Sequence, residues 1–316
     1  MLAFIVSFYV SKPFKLILEL LSMEEEVHKK YLEAGRIISE VREESKNFIK
    51  EGMLLAEIAD MIEDLIRKKG GQPAFPACLS INDIAAHYSP NKGDQSILPE
   101  GALLKVDIGA HIDGYVADTA YTYAFNDEHK QLVEASIAGL NAAIEQCYPD
   151  NLLSNVSAAI EDAITSFGFR PISNLTGHGL GHYWLHDAPS VPNVKTAGTY
   201  RLKQDQVLAI EPFATSGIGR VKDAEFTAIF RIDHIKPVRN QEARKILEFA
   251  AGINGLPFSE RWLPIDSVFK IRMAFRELRE KEMLDEYPAL REASGAIVSQ
   301  AEHSIIVNDK PIVFTK

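Results

Sequence analysis

The stretch "KVDIGAHIDGYVADTAYTY" (residues 105–123) predicts two β-strands joined by a tight turn at Asp113-Gly114, a dipeptide typical of two-residue hairpins. Pairing outward from that turn places Asp107 and Asp118 on one face as diagonal neighbours, with Cα atoms about 7–8 Å apart. Two like charges on a half-buried face are costly unless one takes up a proton or a cation neutralises them. The hairpin alone leaves two interpretations open: a metal site, or an Asp107 that caps a loop and an Asp118 that faces water.

The overall composition is that of a globular protein. The chain has 316 residues, of which 46% are hydrophobic and 25% charged, and a formal net charge of −10. Phosphate binding depends on clustered Lys and Arg, and none cluster in this sequence, so a DNA partner is excluded and a small molecule, a peptide or a metal is expected. Cys78 and Cys147 provide no disulfide framework, which favours a cytoplasmic protein.

The first 22 residues, "MLAFIVSFYVSKPFKLILELLS", are apolar but too short to span a membrane, and Lys12, Pro13 and Lys15 interrupt them. No basic residue precedes the apolar run and no small-residue cleavage site follows it, so a signal peptide is not predicted. Met23 then begins "MEEEVHKKYLEAGRIISEV", with acids in the first helical turn. Residues 1–22 are therefore predicted to be an apolar leader or a mis-assigned start, with a peripheral membrane anchor as the competing interpretation.

Apolar residues recur at steps of three and four in four segments, which predicts amphipathic helices at about 24–49, 54–69, 129–147 and 154–167. The second and fourth are alike, since "AEIADMIEDLI" (56–66) aligns with "SNVSAAIEDAI" (154–164). Each copy then leads to a histidine, His87 in the first and His178 in the second. This duplication predicts two similar αβ halves that face each other, with an active site in the cleft between them.

Three further polar residues stand in apolar or glycine-rich segments. Glu211 lies in "LAIEPFAT", Glu302 in "SQAEHSIIV" and His178 in "TGHGLGH". Separately, each is more often a satisfied core polar residue or an edge position. Together with the two aspartates they make four carboxylates and one imidazole on strand-like segments, which predicts bound cations. A helix-rich stretch at about 240–292, between the two glutamates, predicts an insertion.

This combination resembles the type II methionine aminopeptidases in their archaeal-like short form. The resemblance runs from about Met23 to Lys316. It lies in the motifs "AFPACLSINDIAAHYSPN" (74–91), "VDIGAHIDGYVADTA" (106–120), "TGHGLGHYWLHDAPSVPN" (176–193), "IEPFAT" (210–215) and "QAEHSIIV" (300–307). It implies one peptidase domain over residues 23–316 with the α/β pita-bread fold. In that fold two pseudo-symmetric αβ halves surround a central antiparallel sheet, to which the helical insertion is added here.

The resemblance also implies a dinuclear metal site. Its ligands would be Asp107, Asp118, His178, Glu211 and Glu302. Asp118 and Glu302 would bridge two divalent ions drawn from Co, Mn, Fe and Zn. A hydroxide held by the two ions would attack the scissile carbonyl. Glu211 would accept the proton that the water loses in forming this hydroxide and would donate it to the leaving amine. The resemblance alone sets aside His182 in the same loop, whereas His303 is set aside because it points to the opposite strand face.

By the same resemblance, His87 and His186 would contact the peptide and stabilise the oxyanion-like intermediate, although either alone is more often structural. The methionine side chain would be held by Phe75, Leu185, Tyr287 and Leu290. Residues of these types are, on their own, more often plain core. Ile229 departs from the animal type II pattern, which has a pocket-side histidine there, so side-chain and inhibitor preferences do not carry over.

The expected function is removal of the initiator methionine from nascent proteins with a small second residue. The expected enzyme is a monomer that acts near the ribosome in the cytoplasm, with no DNA or membrane partner. One alternative is a prolidase or aminopeptidase P, which would share the five ligands. Those proteins carry a sizeable extra N-terminal domain, however, and fewer than ninety residues precede His87. A second alternative is a non-catalytic binding module on the same fold, which would have lost ligands that all stand here.

Overall fold

The structure is a computed structural model that describes residues 23–316, so the predicted leader at 1–22 lies outside the described residues. The first half of the described chain contains α1 (Glu25–Phe48), α2 (Leu55–Lys68), β1 (Gln72–Pro73), β2 (Cys78–Ile81), β3 (Ile84–Ala86), β4 (Leu103–Ile112) and β5 (Tyr115–Ala124). The two helices lie where the apolar spacing predicts them. In α1 the predicted stripe of Tyr31, Ala34, Ile38 and Val41 is buried against β4 and β5. Burying an Ile or Val side chain of this kind contributes roughly 1.5–3 kcal/mol.

The strands β4 and β5 form the predicted hairpin. Both central turn residues have positive φ, 48° and 85°, as the type I′ turn requires. The register pairs Asp107 with Ala120 and Gly109 with Asp118. The two aspartates are therefore diagonal neighbours on one face, as predicted.

The second half repeats the order of the first. After a short 3₁₀ helix (Asp127–His129) it contains α3 (Lys130–Glu145), α4 (Leu153–Ser166), β6 (Arg170–Pro171), β7 (Thr176–Gly181), β8 (Trp184–Pro192), β9 (Val207–Ile210) and β10 (Phe213–Thr215). The alignable segments 56–66 and 154–164 belong to α2 and α4. A left-handed glycine follows each of these helices, Gly70 with φ 93° and Gly168 with φ 81°, which is the usual helix stop.

The chain ends in three short strands, β13 (Val298–Gln300), β14 (His303–Ile306) and β15 (Ile312–Val313). In the first half β5 pairs with one edge of β4 over its whole length, and β2 and β1 pair with successive parts of the other edge. In the second half the strand order is β15–β14–β9–β7–β8. All of these pairings are antiparallel.

Hydrogen bonds between β5 and the segment from β13 to β14 join the two halves. The N–H of Asp118 donates to Ser304 Oγ at 2.8 Å, and that hydroxyl donates back to the Asp118 carbonyl at 2.8 Å. The N–H of Glu302 donates to the Ala120 carbonyl at 3.0 Å. Backbone bonding at this junction therefore sets Asp118 and Glu302 beside each other.

The predicted insertion is only partly helical. The stretch after β11 (Val221–Ile232) contains α5 (Gln241–Gly252), a 3₁₀ helix (Glu260–Trp262) and α6 (Val268–Glu280), but it ends in a nine-residue strand, β12 (Leu284–Glu292). β12 pairs with β11 and with β3, and these long-range pairings are invisible in the local sequence. The helices enclose an apolar cluster of their own that includes Phe258 and Phe275.

Two larger apolar clusters support the two halves. The first gathers α1, α2 and the hairpin, and the second gathers α3, α4 and β9. Within residues 23–316, no helix combines the length and the apolar character that crossing a bilayer would need.

Candidate metal centre and peptide pocket

Five predicted ligands line one pocket of about 230 Å³ between the halves. They are Asp107, Asp118, His178, Glu211 and Glu302. Ligand atoms of Asp118, His178 and Glu302 lie within 4.8 Å of one another. His178 Nε2 is 3.6 Å from Glu211 Oε1 and 3.9 Å from Asp118 Oδ2. The structure thus brings all five side chains together at the junction of the two sheets.

The backbone around His178 explains how its ring reaches the acids. A Cβ atom on Gly177 would lie 2.4 Å from the Ala209 carbonyl oxygen, and one on Gly179 would lie 2.4 Å from that of Ala188. Only glycine allows β7 to pack this closely between β8 and β9. The ring Nδ1 lies 3.1 Å from the Gly179 carbonyl, so a neutral ring protonated there turns an unprotonated Nε2 toward the acids.

The sequence predicts both glutamates inside strands, but the structure places each of them just beyond the end of a strand. Glu211 follows the last residue of β9, and Glu302 precedes the first residue of β14. Pro212 explains the first break, because it has no N–H to continue the ladder. Both carboxylates are therefore presented from short unpaired segments at the ends of strands.

Burial raises the pKa of each of the four acids. The pKa of Asp107 rises to about 6. The pKa values of Asp118, Glu211 and Glu302 are raised well above their ordinary range, first by burial and then by the neighbouring carboxylates. Burial lowers the pKa of His178 to about 4, which keeps its imidazole neutral. Crowded acids beside a neutral imidazole are an environment that a bound cation would relieve.

Two carboxylate oxygens in the pocket accept no hydrogen bond from the described part of the protein. Asp107 Oδ1 and Asp118 Oδ1 are buried and accept no hydrogen bond from any atom of residues 23–316. Gln300 Nε2 donates to Asp107 Oδ2 at 3.2 Å and to Glu211 Oε2 at 3.5 Å. Orphaned carboxylate oxygens, next to others held by one amide, fit a site for hard divalent cations.

His87 and His186 line the same pocket, one from each half. His87 follows β3 in a left-handed conformation with φ 62°, and burial lowers the pKa of its imidazole. The His186 ring centroid is 4.6 Å from that of His178. Partial desolvation, with His178 and His87 nearby, lowers the pKa of His186, although the residue is exposed at the pocket wall. At neutral pH both rings are neutral, so each can donate one N–H bond.

Three of the four residues predicted to hold the methionine side chain line the pocket: Phe75, Leu185 and Tyr287. Leu290 is not among the residues that line it. It packs against an apolar cluster that includes Phe213 and Val298, and Phe213 itself lines the pocket. Contact between Leu290 and the methionine side chain therefore stays a prediction.

The two histidines set aside lie elsewhere. His182 Nε2 is 2.8 Å from the Asp113 carbonyl at the tip of the hairpin. His303 is buried with its Nδ1 2.9 Å from Thr315 Oγ1 and its ring 3.3 to 3.4 Å from Arg42 Nη1.

Sequence reasoning missed two residues of the site: Gln300, which bonds two of the acids, and Cys78, which lines the pocket. Gln300 stands two residues before Glu302, and that spacing is a signal that could have drawn attention to it. Cys78 lines the pocket because β2 pairs it with Asp107, which no local pattern reveals. Ile229, noted as a departure from the animal pattern, also lines the pocket.

Comparison with known proteins identifies the class. Residues 29–239 match metallopeptidase family M24. The chain is 40% identical over 294 residues to a methionine aminopeptidase of Methanocaldococcus jannaschii, an alignment that covers 93% of this chain and 99% of that protein. The chain therefore belongs to metallopeptidase family M24. The predicted resemblance to archaeal methionine aminopeptidases and the assignment to metal-dependent hydrolases are confirmed, and membership of the family implies divalent metal ions.

Solved structures share the fold. A thermophilic Arx1 is 16% identical with a TM-score of 0.81, covering 91% of this chain and 90% of that one. The methionine aminopeptidase of Thermotoga maritima is 22% identical with a TM-score of 0.69, covering 94% and 98%. At these identities the similarity establishes the fold alone, and it confirms the predicted pita-bread architecture.

Proposed function

We propose that this protein removes the initiator methionine from nascent proteins whose second residue is small. The proposal is carried by four carboxylates, two of them buried and two half-buried, and one neutral imidazole that line a single pocket with an apolar wall. The similarity to methionine aminopeptidases supports the same reaction.

The acid cluster of Asp107, Asp118, Glu211 and Glu302, together with His178, would hold two divalent cations. Four carboxylate charges balance two divalent cations, and an oxygen-rich set with one imidazole suits Co, Mn, Fe or Zn. Cations bound there would polarise the scissile carbonyl and lower the pKa of the attacking water.

The remaining chemistry belongs to side chains of this chain. Glu211 would accept the proton of the attacking water and donate it to the leaving amine. His87 and His186 would each donate an N–H toward the oxygen on which charge develops. Gln300, bound to both Asp107 and Glu211, would fix the orientation of those two carboxylates.

Specificity would come from the apolar wall. Phe75, Leu185, Ile229 and Tyr287 line the pocket beside the acids, and an unbranched thioether fits an apolar cavity of moderate size. The ring centroids of His186 and Tyr287 are 6.1 Å apart. We propose that these two rings would limit the size of the residue that follows the methionine.

We place this reaction in the cytoplasm, on polypeptides emerging from the ribosome, and propose that the enzyme acts as a monomer. Both cysteines are buried and free, which suits a reducing compartment.

The test is peptide cleavage by the full chain, supplied in turn with Mn, Co, Fe and Zn. Met-Ala-Ser and Ala-Pro-Ala are offered as substrates, and free amino acids are quantified. We expect release of methionine from the first peptide and little cleavage of the second. Preferential cleavage of Ala-Pro-Ala would instead identify a proline-specific peptidase. If neither peptide is cleaved with any metal, the proposal fails.

A further inference from the structure

A second pocket, here called the outer pocket, adjoins the metal-site pocket and has a volume of about 160 Å³. Four residues line both pockets: Leu185, His186, Pro257 and Tyr287. Trp184, Arg231 and Gly255 line the outer pocket but not the inner one. The two cavities therefore adjoin at a shared wall that includes His186 and Tyr287.

The acids at the floor of the inner pocket are buried, whereas Trp184 on the wall of the outer pocket is partly exposed. Asp118 is 3% exposed and Glu302 is 1% exposed, but Trp184 is 46% exposed. A polypeptide whose first residue reaches the acids must leave the inner pocket in the direction of the surface. The outer pocket offers such a route, because it shares four lining residues with the inner one.

Trp184 is held in place on the wall of the outer pocket. Its indole Nε1 donates to the His186 carbonyl at 3.1 Å. The Arg231 guanidinium stacks over the ring, with its central carbon 4.5 Å from the ring centroid. Nε and Nη2 of Arg231 both donate to Asp285 Oδ2, at 3.2 and 2.7 Å. The indole is thus a preorganised aromatic surface, which loses little conformational freedom on binding.

The charges around Arg231 indicate what kind of ligand fits. Asp285 pairs with the guanidinium, and Asp233 Oδ1 lies 3.7 Å from Nη2. Two acids offset one cation, so the outer pocket does not select an anion. An uncharged peptide segment, with side chains lying against the indole, matches this surface.

We propose that the outer pocket is a subsite for the third and fourth residues of the polypeptide substrate, with Trp184 as its main contact. This inference rests on the proposed function and extends it from the first residues of the substrate to longer chains. Its consequence is that the enzyme prefers peptides over dipeptides. The preference is set by a side chain outside the metal cluster.

The experiment measures KM and kcat for Met-Ala and Met-Ala-Ser-Gly with the wild type, Trp184→Ala and Trp184→Phe. We expect Trp184→Ala to raise KM for the tetrapeptide roughly three- to tenfold and to leave KM for the dipeptide unchanged. Trp184→Phe keeps an aromatic face, so its KM for the tetrapeptide should stay close to the wild-type value. Phe269→Ala is the control, because Phe269 is 72% exposed and lines neither pocket.

The outcomes separate the two proposals. A wild type that cleaves neither peptide refutes the proposed function and the subsite with it. A wild type that cleaves both, with KM unchanged in Trp184→Ala or raised equally for the two lengths, overturns the subsite alone. Thermal melting of each variant shows whether a change in KM or kcat comes from misfolding.

Discussion

The carboxylate of Glu63 on α2 holds the helical segment after β11 against the first half. It accepts hydrogen bonds from Arg261 Nη2 at 2.6 Å and Nη1 at 3.0 Å, from Trp262 Nε1 at 2.6 Å and from the Ala77 N–H at 3.0 Å. The side chains of Glu63 and Arg261 are 2% and 6% exposed. This is a buried ion pair whose hydrogen bonds are nearly all satisfied within the protein.

Glu63→Gln should therefore be strongly destabilising. The substitution leaves the Arg261 charge buried and turns an amide N–H₂ toward groups that are themselves donors. Removing one partner of a buried pair costs about 3–5 kcal/mol. In a chain of this size, that loss lowers the melting temperature by on the order of 10 °C.

The same arginine offers a matched control. Asp60 also pairs with Arg261, but its side chain is 61% exposed, and exposed pairs contribute only about 0–1 kcal/mol. Urea unfolding and calorimetry of Glu63→Gln and Asp60→Asn measure both losses under one condition. If the loss in Glu63→Gln is below about 1 kcal/mol, or equals the loss in Asp60→Asn, burial does not govern the strength of this contact and the reasoning is refuted.

Two further predictions concern the hairpin. His111 accepts a hydrogen bond from the Gly114 N–H at 3.0 Å, and burial lowers its pKa from 6.5 to about 4. At low pH the unfolded chain binds a proton on His111 that the folded state excludes. As the pH falls from 6.5 to about 4, the free energy of unfolding of the wild type should therefore decrease, relative to that of His111→Gln, by up to roughly 3 kcal/mol. If urea unfolding gives the same difference between the two proteins at every pH, the prediction is contradicted. In Gly109→Ala the new Cβ would lie 2.3 Å from Phe75 Cε1, so displacement of that ring should cost roughly 1–3 kcal/mol and raise KM for methionine peptides, and unchanged kinetics would count against it.

The hairpin and its two aspartates could be predicted because the information is local. A two-residue turn fixes the register, and the register fixes which side chains share a face. The same holds for the four helices, whose apolar spacing is complete within each segment. The similarity of 56–66 to 154–164 likewise indicated the repeated order of elements without any long-range contact.

What could not be predicted depends on pairings between distant segments. β12 pairs with β11 and β3, and it is this pairing that brings Tyr287 to the pocket. The role of Gln300 depends on the approach of Asp107 and Glu211 from different sheets. The outer pocket needs Trp184 of β8 beside Arg231 of β11, a contact that no sequence spacing indicates.

The proposed reaction requires metal ions bound by the acid cluster. The most direct test of this requirement is the metal content of the wild type and Asp118→Asn after loading with Mn, measured by mass spectrometry together with release of methionine from Met-Ala-Ser. Asp127→Asn is the control, since that side chain is 87% exposed at the start of the short 3₁₀ helix. We expect about two ions per chain in the wild type and the control. Asp118→Asn should hold at most about one ion and release no methionine. A variant that keeps both ions and full activity, or a wild type that binds no metal, would contradict the account.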